Sequence, residues 1–142
     1  MNVERLQQAI KIIEGLEDKQ VDLRGWQVSA ENGTTVKSMS EVDCGTIACA
    51  GGWIALNLEM QEQGLSVGLM GTPKYKGYLN FTALALFFEL PMQTAEWLFN
   101  RVMDDESTRA VSLESWGARI SDRRIWLNRA REILNLHYRS IA

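Results

Sequence analysis

The sequence predicts a mainly α-helical fold, in which five to six helices form a bundle around a central helix of small residues, with a minor β-hairpin. Three observations predict this class. Apolar residues recur at helical spacing in several segments, a run of alanine and glycine follows the two cysteines, and turn-forming residues cluster between positions 65 and 79. The length of 142 residues predicts a single helical domain over residues 1–142.

The first predicted helix covers residues 2–16, because Val3, Leu6, Ile10 and Ile13 recur at helical spacing. Residues 21–28 alternate partly between apolar and polar, which predicts a short strand or an extended segment that buries Trp26. Residues 29–42 are polar and contain an Asn-Gly turn signal, so they are predicted to form a surface loop.

The central helix is predicted over residues 46–63, with Asp43 or Thr46 as its N-cap and Gly64 as its C-terminal stop. Two adjacent glycines, Gly51 and Gly52, lie inside it, and each costs roughly 1 kcal/mol relative to alanine in a helix. Close approach of neighbouring backbones would offset this cost. The sequence therefore predicts a buried helix against which other elements pack closely, with Ile47 on its inner side.

A change in pattern at residues 65–79 predicts a small hairpin or an ordered loop. The next predicted helix, residues 81–89, is apolar on nearly all sides and should be capped by Asn80. Pro91 suits the first turn of a further helix that extends to about residue 103.

The C-terminal part begins with an acidic loop at residues 104–108 and a short helix at residues 113–120 around Trp116. Ser121 opens the last helix, which is predicted to end near Tyr138. Its apolar residues, from Ile125 to Leu134, recur at the spacing of a face that packs on the core.

The composition limits the kinds of partner. The formal charge is −3, whereas nucleic-acid-binding domains usually carry a basic footprint, so direct nucleic-acid binding is not expected. No stretch is long and apolar enough to predict a membrane span, and the charged N-terminus does not resemble a signal peptide. A cytoplasmic protein with free thiols is the expectation.

The cysteines suggest two kinds of chemistry. Cys44 and Cys49 lack zinc-site spacing, and His137 is the only histidine, so no metal and no cofactor are predicted. A catalytic thiol is the sharper alternative, because Cys44 lies near a predicted helix N-terminus, which lowers a thiol pKa. The string around it resembles the Asp-Cys-Ser-Gly turn of cell-wall cysteine peptidases. His137 would be the base, although it lies in a helical context.

Two surfaces are predicted to bind partners. The first is the hairpin, whose candidate contact residues are Lys74, Tyr75, Lys76 and Tyr78. The second is the arginine-rich face of the last helix, whose candidate contact residues are Arg123, Arg124 and Arg131. A solvated connection and a solvated helix face with weak ion pairs are the simpler alternatives. The helices around Pro91 are also spaced like a DNA-binding pair, but the second of them carries few basic residues, so a core helical hairpin is favoured.

A signature in the chain resembles one found in small, mostly uncharacterised proteins of phages and bacteria. Cys44-Gly45-Thr46, then Cys49, then Gly52-Trp53 and Ala55 resemble its pattern Cys-Gly-Thr-x-x-Cys-x-x-Gly-Trp-Ala. Similar segments lie upstream at residues 21–26 and downstream at residues 83–99, where Phe88-Glu89 replaces the expected Leu-Gly. The resemblance implies a phage-type protein but supplies no catalytic residue.

The predicted function is therefore that of a small non-enzymatic binding protein of phage type. It would act in the host cytoplasm and inhibit a host protein or nucleoprotein complex, and host defence is one such target. A thiol-dependent enzyme using Cys44 and His137 is the alternative from another class.

Overall fold

A computed structural model describes residues 1–23, 47–68, 71–100 and 121–141. It confirms a mainly helical chain with a small antiparallel sheet. The described α-helices are α1 (Val3–Glu14), α2 (Ala50–Leu56), α3 (Leu58–Glu62), α4 (Asn80–Phe88), α5 (Met92–Phe99) and α6 (Asp122–Ser140). The strands are β1 (Ser66–Val67), β2 (Pro73–Tyr75) and β3 (Tyr78–Leu79), and a 3-10 turn covers Asp18–Gln20. None of the described helices has the length and apolar character of a membrane span.

Helix α1 forms as its sequence predicts. The Asn2 side chain accepts a hydrogen bond from the Arg5 amide at 3.1 Å, which satisfies one of the free donors at the helix start. Its buried residues, Leu6, Ala9, Ile10 and Ile13, form one stripe. That stripe faces the core and contacts α2, α4 and α6.

The single central helix of the sequence prediction is wrong in two respects. It is divided into α2 and α3 at Asn57, whose backbone is extended and whose side chain accepts from the amides of Glu59 and Met60. An N-cap of this kind starts a new helix and requires a non-helical backbone. The division therefore follows from a capping residue inside an otherwise helical pattern.

The start of the central helix also differs from the prediction. Cys49, and not Asp43 or Thr46, is the N-cap of α2, and its sulfur accepts from the Gly52 amide at 3.2 Å. Ala48 is held in an extended conformation by a parallel bridge to Val21. Because this bridge keeps the backbone out of the helix, Ile47 lies outside the expected inner face and is 45% exposed.

Close packing around α2, in contrast, is confirmed. Every residue of Ala50–Leu56 is buried, and the helix contacts α1, α3, β1 and β2. A Cβ atom added at Gly51 would lie 2.9 Å from Leu84 Cδ1 and 3.2 Å from Pro73 Cγ. Glycine at this position allows α4 and β2 to approach the backbone of α2 directly.

The predicted hairpin is part of a three-stranded antiparallel sheet in the order β1-β2-β3. Ser66 pairs with Lys74, Lys74 pairs with Leu79, and Tyr75 pairs with Tyr78. The inner side of the sheet contacts α4 and α2, where Pro73 and Tyr75 are buried. Residues 69 and 70, between β1 and β2, lie outside the described part.

Helix α4 is buried on most sides, as predicted, but Asn80 is not its N-cap. Strand β3 leads directly into the helix, so Leu79 is the cap and Asn80 is the first helical residue, with a left-handed φ of 57°. Glu89 is the C-cap of α4 and also has a left-handed backbone conformation, and α5 begins after Pro91. The two helices pack on each other, which agrees with a core helical hairpin.

Helix α6 begins as predicted, because the Ser121 hydroxyl accepts from the Arg124 amide at 3.2 Å. It packs on α1 and α5, and its buried residues continue the core. The expectations for Trp26, for the loop at residues 29–42, and for the acidic loop and short helix between residues 104 and 120 lie outside the described residues.

Candidate interaction surface

The hairpin exposes four neighbouring side chains, which we call the hairpin patch: Lys74, Lys76, Tyr78 and Leu79. Tyr78 is 53% exposed and Leu79 is 47% exposed, which is high for large apolar or aromatic groups. Lys74 and Leu79 are partners across β2 and β3, so their side chains lie on the same outer face of the sheet. Tyr78 pairs with Tyr75, so its side chain leaves the edge strand β3 on the opposite face from Leu79, although it is exposed there. The structure thus exposes three of the four hairpin residues predicted from the sequence, of which Lys74 alone shares the outer face with Leu79.

The fourth predicted residue, Tyr75, is not part of this surface. It is only 8% exposed, and its ring contacts Phe87 edge to face with 5.2 Å between centroids. Strand periodicity explains the difference, because Lys74 and Tyr75 are adjacent in β2 and must point to opposite sides of the sheet. That alternation is present in the sequence and could have identified Tyr75 as a core residue.

The inner side of the hairpin packs on side chains that are held in place by several contacts. The Arg5 guanidinium lies 4.3 Å from the Phe87 ring centroid, donates to the Phe87 carbonyl at 2.8 Å and donates to Gln63 Oε1 at 2.9 Å. On the outer face, a Cβ atom at Gly68 would lie 3.3 Å from Leu79 Cδ2, so the Leu79 side chain lies against the backbone of Gly68. The exposed side chains therefore extend from strands whose inner side packs on the core.

Lys76 and Gly77 form the turn between β2 and β3, and both have positive φ angles, 50° and 83°. Two such residues between paired strands are the mark of a type I′ turn, for which asparagine followed by glycine is preferred. Lysine is strained in this conformation because its Cβ approaches the following carbonyl oxygen. The tip of the hairpin therefore carries a residue that is unfavourable for the turn.

Replacing Lys76 with asparagine is expected to raise the free energy of unfolding by about 0.5–1 kcal/mol, since asparagine tolerates the left-handed conformation. The urea midpoint should rise with an unchanged slope. Gly77→Ala is the opposing control and should lower the midpoint, because alanine is strained at a φ of 83°. A Lys76→Asn midpoint at or below that of the parent would contradict the assigned turn.

The predicted arginine face is divided between two roles. Arg123 donates to the carbonyls of Ile13 and Glu14 at 3.1 and 2.8 Å and pairs with Asp18 at 3.2 Å, so it caps the C-terminus of α1. Arg124 is exposed, and Arg131 is exposed and lies 3.5 Å from Glu14. The face therefore offers fewer free cations than its sequence suggests.

Arg129 was not among the predicted site residues, yet it is the most deeply buried charged group of the described chain. It has no exposed surface, and it donates to the carbonyls of Trp97 and Asn100, each at 2.8 Å. These carbonyls belong to the last turn and C-cap of α5, where intrahelical donors are lacking. Arg129 therefore has a structural role in joining α6 to α5.

The catalytic alternative receives no support from the second cysteine. Burial raises the pKa of the Cys49 thiol to about 11, and the hydrogen bonds from the Gly52 and Gly51 amides, which lower the pKa, offset only part of this effect. A thiol of this kind is almost fully protonated at neutral pH and is not a nucleophile. Cys44, the predicted nucleophile, lies outside the described residues, and His137 is partly exposed beside Tyr138, with 5.9 Å between the ring centroids.

The raised pKa of Cys49 predicts a loss of stability in alkali. Because the folded state holds the thiol proton more tightly, its contribution is complete below the unfolded value of 9.0 and is lost as the pH rises towards 11. The free energy of unfolding of the parent protein should therefore fall between pH 9 and 11 by the amount that the titration of one group contributes, and Cys49→Ala should abolish this part of the fall. The measurement is urea unfolding of both proteins at several pH values over that range. Identical slopes for both proteins would contradict the burial of an ionisable thiol.

In the described ranges, no group of three His, Cys, Asp or Glu side chains is arranged to hold a metal ion. In comparisons with known proteins, no family model, no curated protein and no solved structure matches this chain. The phage-type signature at residues 44–55 is thus without independent support.

Proposed function

We propose that this protein is a small non-enzymatic binding protein that contacts another protein through the hairpin patch. The observation that carries the proposal is the exposure of Leu79 beside Lys74 on the outer face of the hairpin, with Tyr78 and Lys76 also exposed next to them. Aromatic and aliphatic side chains presented by a rigid scaffold lose little conformational freedom on binding, which favours affinity. Tyrosine is also among the residues enriched at the energetic centres of interfaces.

The setting we propose is that of a phage-type protein acting in the host cytoplasm. The resemblance of residues 44–55 to a signature of small phage and bacterial proteins supports this origin. The target would be a host protein or nucleoprotein complex, inhibited by occupation of a functional surface, and a component of host defence fits such a role.

The test is affinity capture from a bacterial lysate with the parent protein and with the double variant Tyr78→Thr/Leu79→Thr. Threonine retains strand propensity while removing the large side chains. The matched control is Leu136→Thr/Ile141→Thr, which removes two exposed apolar side chains near the end of α6. Thermal unfolding of all three proteins would show that they fold equally.

The expected result is a partner that the parent and the α6 control capture and that the hairpin variant fails to capture. Retention of the same partner by the hairpin variant would contradict this choice of surface. Absence of any specific partner in the parent sample, compared with a bead control, would contradict the binding function itself.

A further inference from the structure

The charge around the hairpin differs from that of the rest of the protein. The chain has 18 acidic and 15 basic residues, yet no aspartate or glutamate occurs between Glu62 and Glu89. This interval contains all three strands and helix α4, and its only charged residues are Lys74 and Lys76. The segment that forms the sheet and α4 is therefore a basic stretch of an acidic protein.

Neither lysine is neutralised within the described part of the chain. Lys74 and Lys76 take part in no ion pair there, although Lys76 lies 5.2 Å from the Tyr75 ring centroid. Two other exposed cations differ in this respect, whereas Lys11, Arg124 and Arg139 are also exposed and have no ion pair with another described residue. Lys19 lies 3.3 Å from Glu17, and Arg131 lies 3.5 Å from Glu14. The two hairpin lysines are thus exposed, and no ion pair with another described residue compensates their charges.

The two lysines lie beside exposed apolar and aromatic side chains. Leu79 lies directly opposite Lys74 on the outer face, and Tyr78 follows the Lys76-Gly77 turn. Apolar side chains at the centre and charges at the edge are the usual anatomy of a protein–protein contact. Nucleic-acid binding relies instead on many cations that follow a chain of phosphates, and two lysines are too few for it.

From this arrangement, and resting on the proposed function, we infer that the partner of the hairpin patch is an acidic protein segment that places carboxylates against Lys74 and Lys76 and an apolar side chain against Leu79. The charges would accelerate association and select the partner, whereas the apolar contact would supply most of the affinity. Because like charges repel, the two lysines disfavour the basic surfaces of nucleic-acid-binding proteins at this site.

A defined peptide tests this inference without the natural partner. The probe is a synthetic peptide of about twelve residues in which aspartate and glutamate alternate with leucine and phenylalanine, titrated up to about 1 mM into isotopically labelled protein while amide chemical shifts are recorded. The comparison probes are the same peptide with asparagine and glutamine in place of the acidic residues, and an oligothymidylate of similar length. The expected result is saturable shifts centred on β2 and β3 with the acidic peptide alone.

Charge-reversal variants provide the second measurement. Lys74→Glu/Lys76→Glu should weaken acidic-peptide binding about tenfold or more, whereas Lys11→Glu/Lys19→Glu, with the same change in net charge, should weaken it less than about threefold at physiological salt. Equal losses in both variants would show a non-specific charge effect and overturn the inference.

Three further outcomes would also overturn it: no saturable shifts with the acidic peptide, shifts centred outside β2 and β3, or equal or tighter binding of the oligothymidylate. These outcomes are separable from failure of the proposed function. Hairpin-dependent capture from lysate together with a peptide that does not bind would retain the function and reject the acidic partner.

Discussion

Arg129→Ala should lower the free energy of unfolding by about 4 kcal/mol, because two charge-assisted hydrogen bonds contribute roughly 1.5–3 kcal/mol each and two carbonyls lose their donor. The guanidinium of Arg129 donates to the carbonyls of Trp97 and Asn100, and its side chain has no exposed surface, so water cannot replace it without entering the core. Urea unfolding followed by circular dichroism measures this loss. Arg124→Ala is the matched control on the same helix, since its side chain is exposed, and it should change stability by less than about 0.5 kcal/mol.

A conservative variant separates the hydrogen-bonding geometry from the charge. Both bonds come from the same guanidinium nitrogen, Nη1. Arg129→Lys retains the charge and an aliphatic stem, but its ammonium nitrogen lies one bond closer to the backbone and cannot occupy the position of Nη1. It should therefore recover only part of the loss, about half of it on the scale of one charge-assisted bond. If Arg129→Ala and Arg124→Ala were equally stable, or if Arg129→Lys matched the parent, the bridging role would be wrong.

Gly51→Val should be the second large effect, with a loss of about 3 kcal/mol, at the upper end of the cost of overpacking a core. The first added carbon would already lie 2.9 Å from Leu84 Cδ1 and 3.2 Å from Pro73 Cγ. Leu84 is fully buried, and the proline ring is rigid, so neither can move away easily. The unfolding midpoint in urea is the measurement, with Gly51→Ala expected between the parent and the valine variant.

The control is Gly15→Ala. Gly15 ends α1 with an ordinary helical φ of −75°, and an added Cβ there would meet only backbone oxygens at 3.5 and 3.6 Å. This substitution should be neutral or stabilising by about 0.5 kcal/mol, because alanine restricts the unfolded chain.

A double-mutant cycle with Leu84→Ala then tests the contact itself, because removal of Cδ1 should reduce the cost of Gly51→Ala by about 1 kcal/mol. An additive cycle, or a Gly51→Val protein as stable as the parent, would show that α4 does not pack against this glycine.

Three arginines illustrate why similar residues have different roles in this fold. Arg5, Arg123 and Arg129 each donate to carbonyls near the C-terminus of a neighbouring helix, namely those of α4, α1 and α5. Each helix end lacks intrahelical donors for its last carbonyls, so a guanidinium from another helix supplies them. Arg124 and Arg131, whose sequence neighbourhood is similar, extend to the solvent instead. Helical periodicity alone does not show which arginine meets a helix end.

Local signals decided much of the fold. The spacing of apolar residues predicted α1 and α6, and the side chains of Asn2 and Ser121 are of the types that cap helix N-termini. The paired glycines predicted a helix around Gly51 on which other elements pack closely. These features depend on residues within a few positions of one another. The same local reasoning could have placed Tyr75 inside, because β2 alternates strictly.

Tertiary contacts decided the remainder. The bridge from Val21 to Ala48 delays the start of α2, and direct entry of β3 into α4 moves the cap from Asn80 to Leu79. For the candidate site, composition predicted the hairpin lysines and Tyr78 as contact residues, and the structure shows them exposed. The exposure of Leu79 became visible only in the packed structure. The physical reason is that propensity and capping act within one turn or one strand, whereas burial, helix-end capping by Arg129 and a free hairpin face depend on which distant segment lies opposite.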